Sequence, residues 1–324
     1  MITLVAEEIT KYYGKKKCVD HLSFRLQESC VLGFIGPNGA GKTTSMRILC
    51  GIMPPSSGRV LLNGRDISLD SVESKMQMGY LPENAPLPSN MNLRSFLLYC
   101  GKMRCLAGKE LKNAFDYAVE SCHLSGVLSE ELESLSKGFR RRACLAQAIM
   151  HQPGVLILDE PTDGLDPNQK REIRSLIREL SKKSAIIVST HILEEIDAVC
   201  DRVLTICKGK KVFEGDVREY KELLPEKKST LLRFLPGKLT AGELENLFRK
   251  QELCPLLSFT EWEGDGSFAA LLAPGRNGET PESLLLPPLL EKGAILLEVE
   301  KGSATLEEVF ADLTPDEEDG KEKK

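Results

Sequence analysis

Long apolar runs are missing from this sequence. No stretch reaches the 18 or more residues of a membrane-spanning helix, which excludes an ordinary spanning segment. Met1-Ile2-Thr3-Leu4 starts a strand-like pattern and has neither the basic n-region nor the cleavage site of a secretory leader, so the chain is expected in the cytosol. An excess of positive charge is missing as well. The 43 Lys and Arg residues face 48 Asp and Glu, and a net charge of −5 offers no field for phosphate backbones, so nucleic acid is not an expected partner. The ten cysteines contain no Cys-x-x-Cys pair, and Cys18, Cys30, Cys50 and Cys207 lie inside apolar runs. That scatter points to buried, reduced thiols rather than a disulfide frame or a metal cluster. What remains is a globular composition, 41% apolar and 28% charged, on 324 residues. Such a length exceeds one ordinary core, and a large domain with a smaller one is expected.

The chemistry begins at Gly36-Pro37-Asn38-Gly39-Ala40-Gly41-Lys42-Thr43-Thr44, between the apolar run Cys30–Ile35 and a helical stretch, Thr43–Cys50. Gly36, Gly39 and Gly41 allow backbone conformations that turn successive N–H groups inward, and the helix start adds its positive dipole end to the same concavity. This is a phosphate cradle, with Lys42 in reach of the β- and γ-phosphates and the Thr43 hydroxyl placed to ligate Mg²⁺. Nucleotide binding follows.

Upstream, Thr3–Ala6 and Val19–Leu26 read as strands, joined by a loop, Lys11–Lys17, whose Tyr13 is a candidate to stack on an adenine ring. Downstream, Arg59–Leu62 and Met78–Leu81 are short strands, and apolar residues at three- and four-residue spacings make 92–128 a helical insert. Leu135-Ser136-Lys137-Gly138-Phe139 leads a second helix with Ala143, Ala146, Gln147 and Met150 on its inner face; Arg140, Arg141 and Arg142 are expected on a solvated or ion-paired face. Val155–Leu158 is a continuous apolar run, as in a strand buried on both faces, and it delivers Asp159 and Glu160 at the edge where open α/β sheets bind ligands. One acid can orient Mg²⁺ through its water shell while the other faces the attacking water. Asn168–Ser181 is amphipathic and helical, Ala185–Thr190 is a second buried strand, and His191 follows it at the same edge. From Leu223 the pattern changes: strands at Ser229–Leu235, Leu253–Glu263, Ser267–Ala273 and Ala294–Glu300 alternate with helices at Ala241–Lys250 and Thr280–Glu291. They imply a small α+β domain joined near Pro225, with a short helix at Leu306–Leu313 and a charged tail to Lys324 expected to be disordered.

These motifs agree in order and spacing over residues 2–222, and the chain resembles the ATP-binding subunits of ABC transporters. The most specific element is Leu135–Phe139, similar to that family's signature sequence, which simple P-loop kinases and GTPases lack. The resemblance implies an α/β fold: a P-loop ABC ATPase domain at 1–222 with a mixed central sheet, an antiparallel β subdomain and a helical insert at about 92–150. A C-terminal α+β accessory domain at 223–313 and a disordered tail at 314–324 would follow. It makes Gly36–Thr44 the Walker A loop, Val155–Glu160 the Walker B strand, Asp163-Gly164-Leu165-Asp166 the D-loop, and His191 the switch histidine; Tyr13 would stack on adenine. Glu160, Lys42 and His191 would carry hydrolysis, Thr43, Asp159 and Glu83 would lie at Mg²⁺, and Ser136 and Gly138 would contact the γ-phosphate bound on an opposite protomer, either a second copy or a homologous ATP-binding subunit.

Two departures from the family pattern stand out. Lys137 and Phe139 occupy signature positions usually held by Gly and Gln, and Glu83 stands where a glutamine normally touches Mg²⁺ and the membrane partner. Glu83, with the ending Thr305-Leu306-Glu307-Glu308-Val309-Phe310, resembles the ABC-2 type exporter branch, whose members work with separately encoded permeases on the cytoplasmic face of the membrane. The rivals are a soluble ABC protein of translation or DNA repair, against which a single cassette with a short insert argues, and a nucleotide-gated module with little hydrolysis.

Overall fold

The structure, a computed structural model, describes residues 3–67, 71–84, 86–223, 230–237, 239–249, 256–261, 266–272, 281–301 and 306–314. It divides into two compact units, with boundaries between Val217 and Arg218 and between Asp312 and Leu313.

The first unit opens with the hairpin β1 (Thr3–Tyr13) and β2 (Lys16–Gln27), continues through β3 (Val31–Ile35) and α1 (Lys42–Leu49), and returns in β4 (Ser57–Leu62) and β5 (Arg65–Asp66). Strands β2-β1-β4-β5 form one antiparallel sheet. After α2 (Ser71–Met76) and β6 (Met78–Leu81), the helices α3 (Leu93–Met103), α4 (Gly108–Ser121) and α5 (Lys137–Ile149) pack on one another. Asn92 caps α3, its side chain accepting from Ser95 N at 2.8 Å. Then come β7 (Val155–Asp159), α6 (Pro167–Ser181), β8 (Ala185–Ser189), α7 (Leu193–Val199), β9 (Arg202–Cys207) and β10 (Lys210–Asp216); α8 (Val217–Lys221) starts at the boundary and falls in the second unit from Arg218.

The second sheet runs β10-β9-β3-β8-β7-β6, parallel except for the antiparallel edge strand β10. Every residue of β3, β7 and β8 is buried, which is why these strands read as unbroken apolar runs. A core containing Leu22, Phe34, Met46, Ile48, Ile157 and Ile187 packs around α1 with members from both sheets.

One expectation fails here. Lys11–Lys17 is not a loop: β1 runs on through Tyr13, β2 starts at Lys16, and the pairs Tyr12↔Lys17 and Tyr13↔Lys16 close the hairpin. Backbone pairing holds this end, and the lysines lie over the tyrosine rings, Lys17 Nζ at 5.5 Å from Tyr12 and Lys11 Nζ at 5.9 Å from Tyr13. With little apolar burial at this end, the sequence shows no alternation to signal a strand.

The second unit contains β11 (Thr230–Leu235), α9 (Ala241–Arg249), β12 (Leu256–Glu261), β13 (Phe268–Leu272), α10 (Pro281–Glu291), β14 (Ile295–Lys301) and α11 (Leu306–Leu313), the last ending across the unit boundary. The antiparallel order β12-β13-β11-β14 on a βαββαβ chain is the ferredoxin-like arrangement. Phe234, Phe248, Phe259 and Phe268 form its aromatic spine, with centroid spacings of 5.5, 5.9 and 5.4 Å along the series. The expected junction near Pro225 and the tail beyond Thr314 lie outside the described residues.

Among the described cysteines no disulfide is present. Cys50, Cys122, Cys144 and Cys200 are buried, Cys18, Cys30, Cys100 and Cys207 are partly so, and Cys105 is exposed. Burial pushes the Cys100 thiol up to about 11 and the Cys144 and Cys122 thiols up to about 12.

Candidate active site

The cradle forms because β3 ends against the start of α1 with only six residues to turn in. Gly41 at φ 106° makes the turn, and a Cβ there would stand 2.3 Å from the carbonyl oxygen of Cys18. Lys42, with 9% of its surface exposed, donates from Nζ to Gly36 O at 2.6 Å and Pro37 O at 3.2 Å. Burial lowers its pKa, opposed by the charges of Glu160, Asp159 and Glu83. Gly36 and Pro37 thus anchor the lysine, and Ala40 O accepts from Gly209 N at 3.0 Å, tying the loop to the β9–β10 turn.

A cavity of about 390 Å³ opens over this loop. Asn38, Gly39, Gly41, Lys42, Thr43 and Thr44 line one wall. Asp159 and Glu160 line it at the end of β7, Glu83 lines it from the loop after β6, and Lys16 and Cys18 of β2 complete it.

Asp159 is buried, and burial raises its pKa. Its Oδ1 accepts from the Ser189 hydroxyl. Its Oδ2 has no hydrogen-bond partner, although the Thr43 hydroxyl and Lys42 ammonium are among the neighbours that favour its charged form. A buried, orphaned carboxylate oxygen beside a hydroxyl suits Mg²⁺, which takes one or two protein oxygens and completes its octahedron with phosphate and water. No cluster of three or more His, Cys, Asp or Glu that could hold a metal occurs among the described residues, so a site here needs those outside oxygens.

Glu160 is also raised by burial, countered first by its hydrogen bond with His191. His191 Nδ1 lies 2.8 Å from Glu160 Oε2; the histidine is 58% exposed and the glutamate 12%. The pairing arises because β7 and β8 are parallel neighbours that end at the same edge.

The remaining candidates lie elsewhere. Tyr13 is 46% exposed, donates from its hydroxyl to Met53 Sδ at 3.1 Å and does not line the cavity. Ser136 and Gly138 also lie outside it, at the start of α5, where Ser136 Oγ caps the helix by accepting from Phe139 N at 3.3 Å. Beside them Lys137 Nζ meets Asp163 Oδ2 at 2.7 Å and holds that carboxyl below its ordinary range. A second cavity, about 350 Å³, lies between Glu83, Leu135, Lys137, Arg140, Arg141 and Asp163.

The ABC transporter family model matches residues 19–163. Over 214 residues the chain is 36% identical to an uncharacterized ABC transporter ATP-binding protein of Methanocaldococcus jannaschii, covering 66% of this chain and 77% of that one. The chain belongs to the ATP-binding proteins of ABC transporters. It is 30% identical over 277 residues to the Nod factor export ATP-binding protein I of Paraburkholderia xenovorans (strain LB400), spanning 82% of this chain and 85% of the relative. A solved ATP-binding subunit of an ABC transporter shares the fold with a TM-score of 0.64 at 24% identity, over 68% of this chain and 92% of that structure. As a member of this family the chain binds nucleotide and is an ATP-hydrolysing subunit that drives transport. These relatives do not favour the rival reading of a soluble translation or repair protein. No helix among the described residues is long and apolar enough to cross a membrane.

Two features of this ABC cassette escape a sequence reading. Arg141 and Arg142 are buried, 3% and 6% exposed; of the two, Arg142 is ion-paired as one reading of this face expects, and Arg141 is neither solvated nor, among the described residues, ion-paired. Arg142 pairs with Glu172 at 2.8 Å, while Arg141 donates to the backbone carbonyls of Glu83, Asp159 (2.7 Å) and Glu160. The helical phase carried a signal, since Arg141 stands three and four residues before the buried Cys144 and Leu145. The second is Glu195, 1% exposed, which accepts from the hydroxyls of Thr162 and Thr190 (3.0 Å) and joins the loop after β7 to the one carrying His191.

Proposed function

We propose that the chain powers an exporter, hydrolysing Mg²⁺-bound ATP in the 390 Å³ cavity and closing as a pair of copies against a membrane-spanning permease on the cytoplasmic face. The observation that carries this reading is the convergence, at one sheet edge, of Lys42, the orphaned oxygen of Asp159 and the Glu160–His191 pair. Export is favoured by the relative whose name specifies it and which this chain matches over 82% of its length.

Thr43 and Asp159 would hold Mg²⁺, with Glu83 at the rim; the metal, when bound, neutralises charge on the phosphates. The loop N–H groups and Lys42 bind the phosphate oxygens and offset the charge developed on the γ-phosphate. Glu160 accepts the proton of the attacking water, and His191 orients it and stabilises γ-phosphate charge. Ser136 and Gly138 complete the site of the opposite copy, supported by the exposed Ser136 at the N-terminus of α5, outside its own chain's cavity, where a helix start offers N–H groups and a positive dipole end; Gly138 beside it is buried. Tyr13, exposed near the cavity-lining strand β2, is the adenine platform in this reading. Residues 1–222 carry the chemistry, and 223–313 form an accessory unit.

Steady-state phosphate release by the purified chain with its permease in membrane vesicles tests the reading. Release that requires Mg²⁺ is expected; none, or release untouched by chelator, contradicts it and leaves the nucleotide-gated module.

Glu83 sits at the cavity without the enclosed pairing of Glu160. Glu83→Gln is therefore expected to change the Mg²⁺ dependence of turnover while leaving hydrolysis within about tenfold of normal, a range set by loss of one peripheral charge. A Mg²⁺ titration of phosphate release measures this; a loss as deep as that of Glu160→Gln would mean the base is misassigned. Removing everything after Leu223 should preserve ATP binding by calorimetry. A soluble, folded truncation that fails to bind would show that the C-terminal unit completes the site.

A further inference from the structure

We propose that Arg141 is a positioning residue for hydrolysis: it locks the backbone of Glu160 and fastens it to the Glu83 loop. The inference rests on Glu160 being the base that the preceding reading makes it.

The geometry is unusual for an arginine on a helix. The guanidinium is enclosed, and its contacts given by the structure are three main-chain carbonyls from two segments: Nη1 donates to Glu83 O, and Nη2 to Asp159 O at 2.7 Å and to Glu160 O. Nε is buried without a hydrogen-bond partner, so the side chain accepts an unsatisfied donor to keep that fork in place. Only a planar, permanently charged group with several fixed donors can reach three carbonyls in this way; a lysine presents one point charge on a flexible stem.

Glu160 needs such a hold. Its φ is 53°, in the left-handed region that a residue with a Cβ enters at a cost and keeps only when its surroundings determine it. The peptide group before its Cα is fixed at both ends, Glu160 N donating to Ser189 O at 3.0 Å and Asp159 O accepting from Arg141. The peptide group after it is fixed by two donors to Glu160 O, the Arg141 guanidinium and Asp163 N at 3.2 Å. With both flanking peptides set, the side chain is delivered to His191 at 2.8 Å. The same guanidinium holds Glu83 O, so a displacement of the Glu83 loop acts directly on the glutamate's main chain.

The test compares Arg141→Lys and Arg141→Gln with the parent in the full chain, by phosphate release, ATP titration and thermal melting. Expected is a fall in kcat of roughly 10- to 100-fold, the scale of a small misplacement of a reacting group, with ATP affinity within about threefold and Arg141→Lys the milder variant. Arg141→Lys is then combined with Glu160→Gln and followed in single turnovers. Since the group being positioned is already disabled, the double variant should be no slower than Glu160→Gln alone. Additive loss in the double variant, or normal turnover by a folded Arg141→Lys, overturns the inference while leaving Glu160 as base. Normal turnover by Glu160→Gln itself would remove the underlying reading instead.

Discussion

Lys42→Ala is expected to bring phosphate release below detection and to weaken ATP binding strongly. The ammonium is buried at the root of the cradle, and the hydrogen bonds to Gly36 O and Pro37 O hold it at the loop before any phosphate arrives. It is also a cation whose charge acts on Glu160, Asp159 and Glu83, so its loss leaves these three carboxyl groups with less compensation. A triphosphate then enters a more negative site and meets one point charge fewer. Removing a single donor to developing charge costs about 10²–10³ in turnover, and here the ground state loses affinity too. Calorimetry and phosphate release on the same preparation measure both effects. Unchanged release would mean that phosphate is not held by this loop.

Glu160→Gln is expected to separate binding from chemistry. Glutamine preserves the volume and can keep the contact with His191 now made at 2.8 Å, but it cannot take a proton. Loss of a general base removes about 10²–10⁴ in rate, so turnover should fall by that order while ATP affinity stays near normal. The pH profile gives an independent check. Burial raises the pKa of Glu160, only partly offset by His191, Lys42 and their charges. The base must be ionised to act, so turnover of the unmodified chain should decline as pH falls through that raised value, above the ordinary glutamate range. In the variant this acid limb should vanish. A limb that persists unchanged would assign it to another group.

The phosphate loop was legible because its constraints are local: Gly41 turns against Cys18, and Lys42 reaches back to Gly36 and Pro37 within six residues. The same holds for β7 and β8, whose unbroken apolar runs state their burial on both faces and whose shared edge brings Glu160 to His191. Elements of the C-terminal unit were legible as strands and helices, but their order β12-β13-β11-β14 depends on long-range pairing that no local pattern encodes. The end of the β1–β2 hairpin was hidden because lysines over tyrosine rings replace the usual apolar alternation. Arg141 was hidden for a different reason. Charge argues for solvent unless partners are known, and its partners are carbonyls 18, 19 and 58 positions away in sequence.

Ser136 and Gly138 do not line the cavity that holds Lys42, and in the proposed reading they complete the site of an opposite copy. In that proposed pair the γ-phosphate oxygens would accept hydrogen bonds from Ser136 and the Gly138 backbone of the opposite copy, so pairing should depend on nucleotide and be lost on hydrolysis. Sedimentation of Glu160→Gln with MgATP, with ADP and without nucleotide reads this directly. A dimer that accumulates with MgATP alone is the expected result. A monomer in all three conditions at high concentration, together with unchanged turnover in Ser136→Ala, would contradict a site shared between two copies of the isolated subunit.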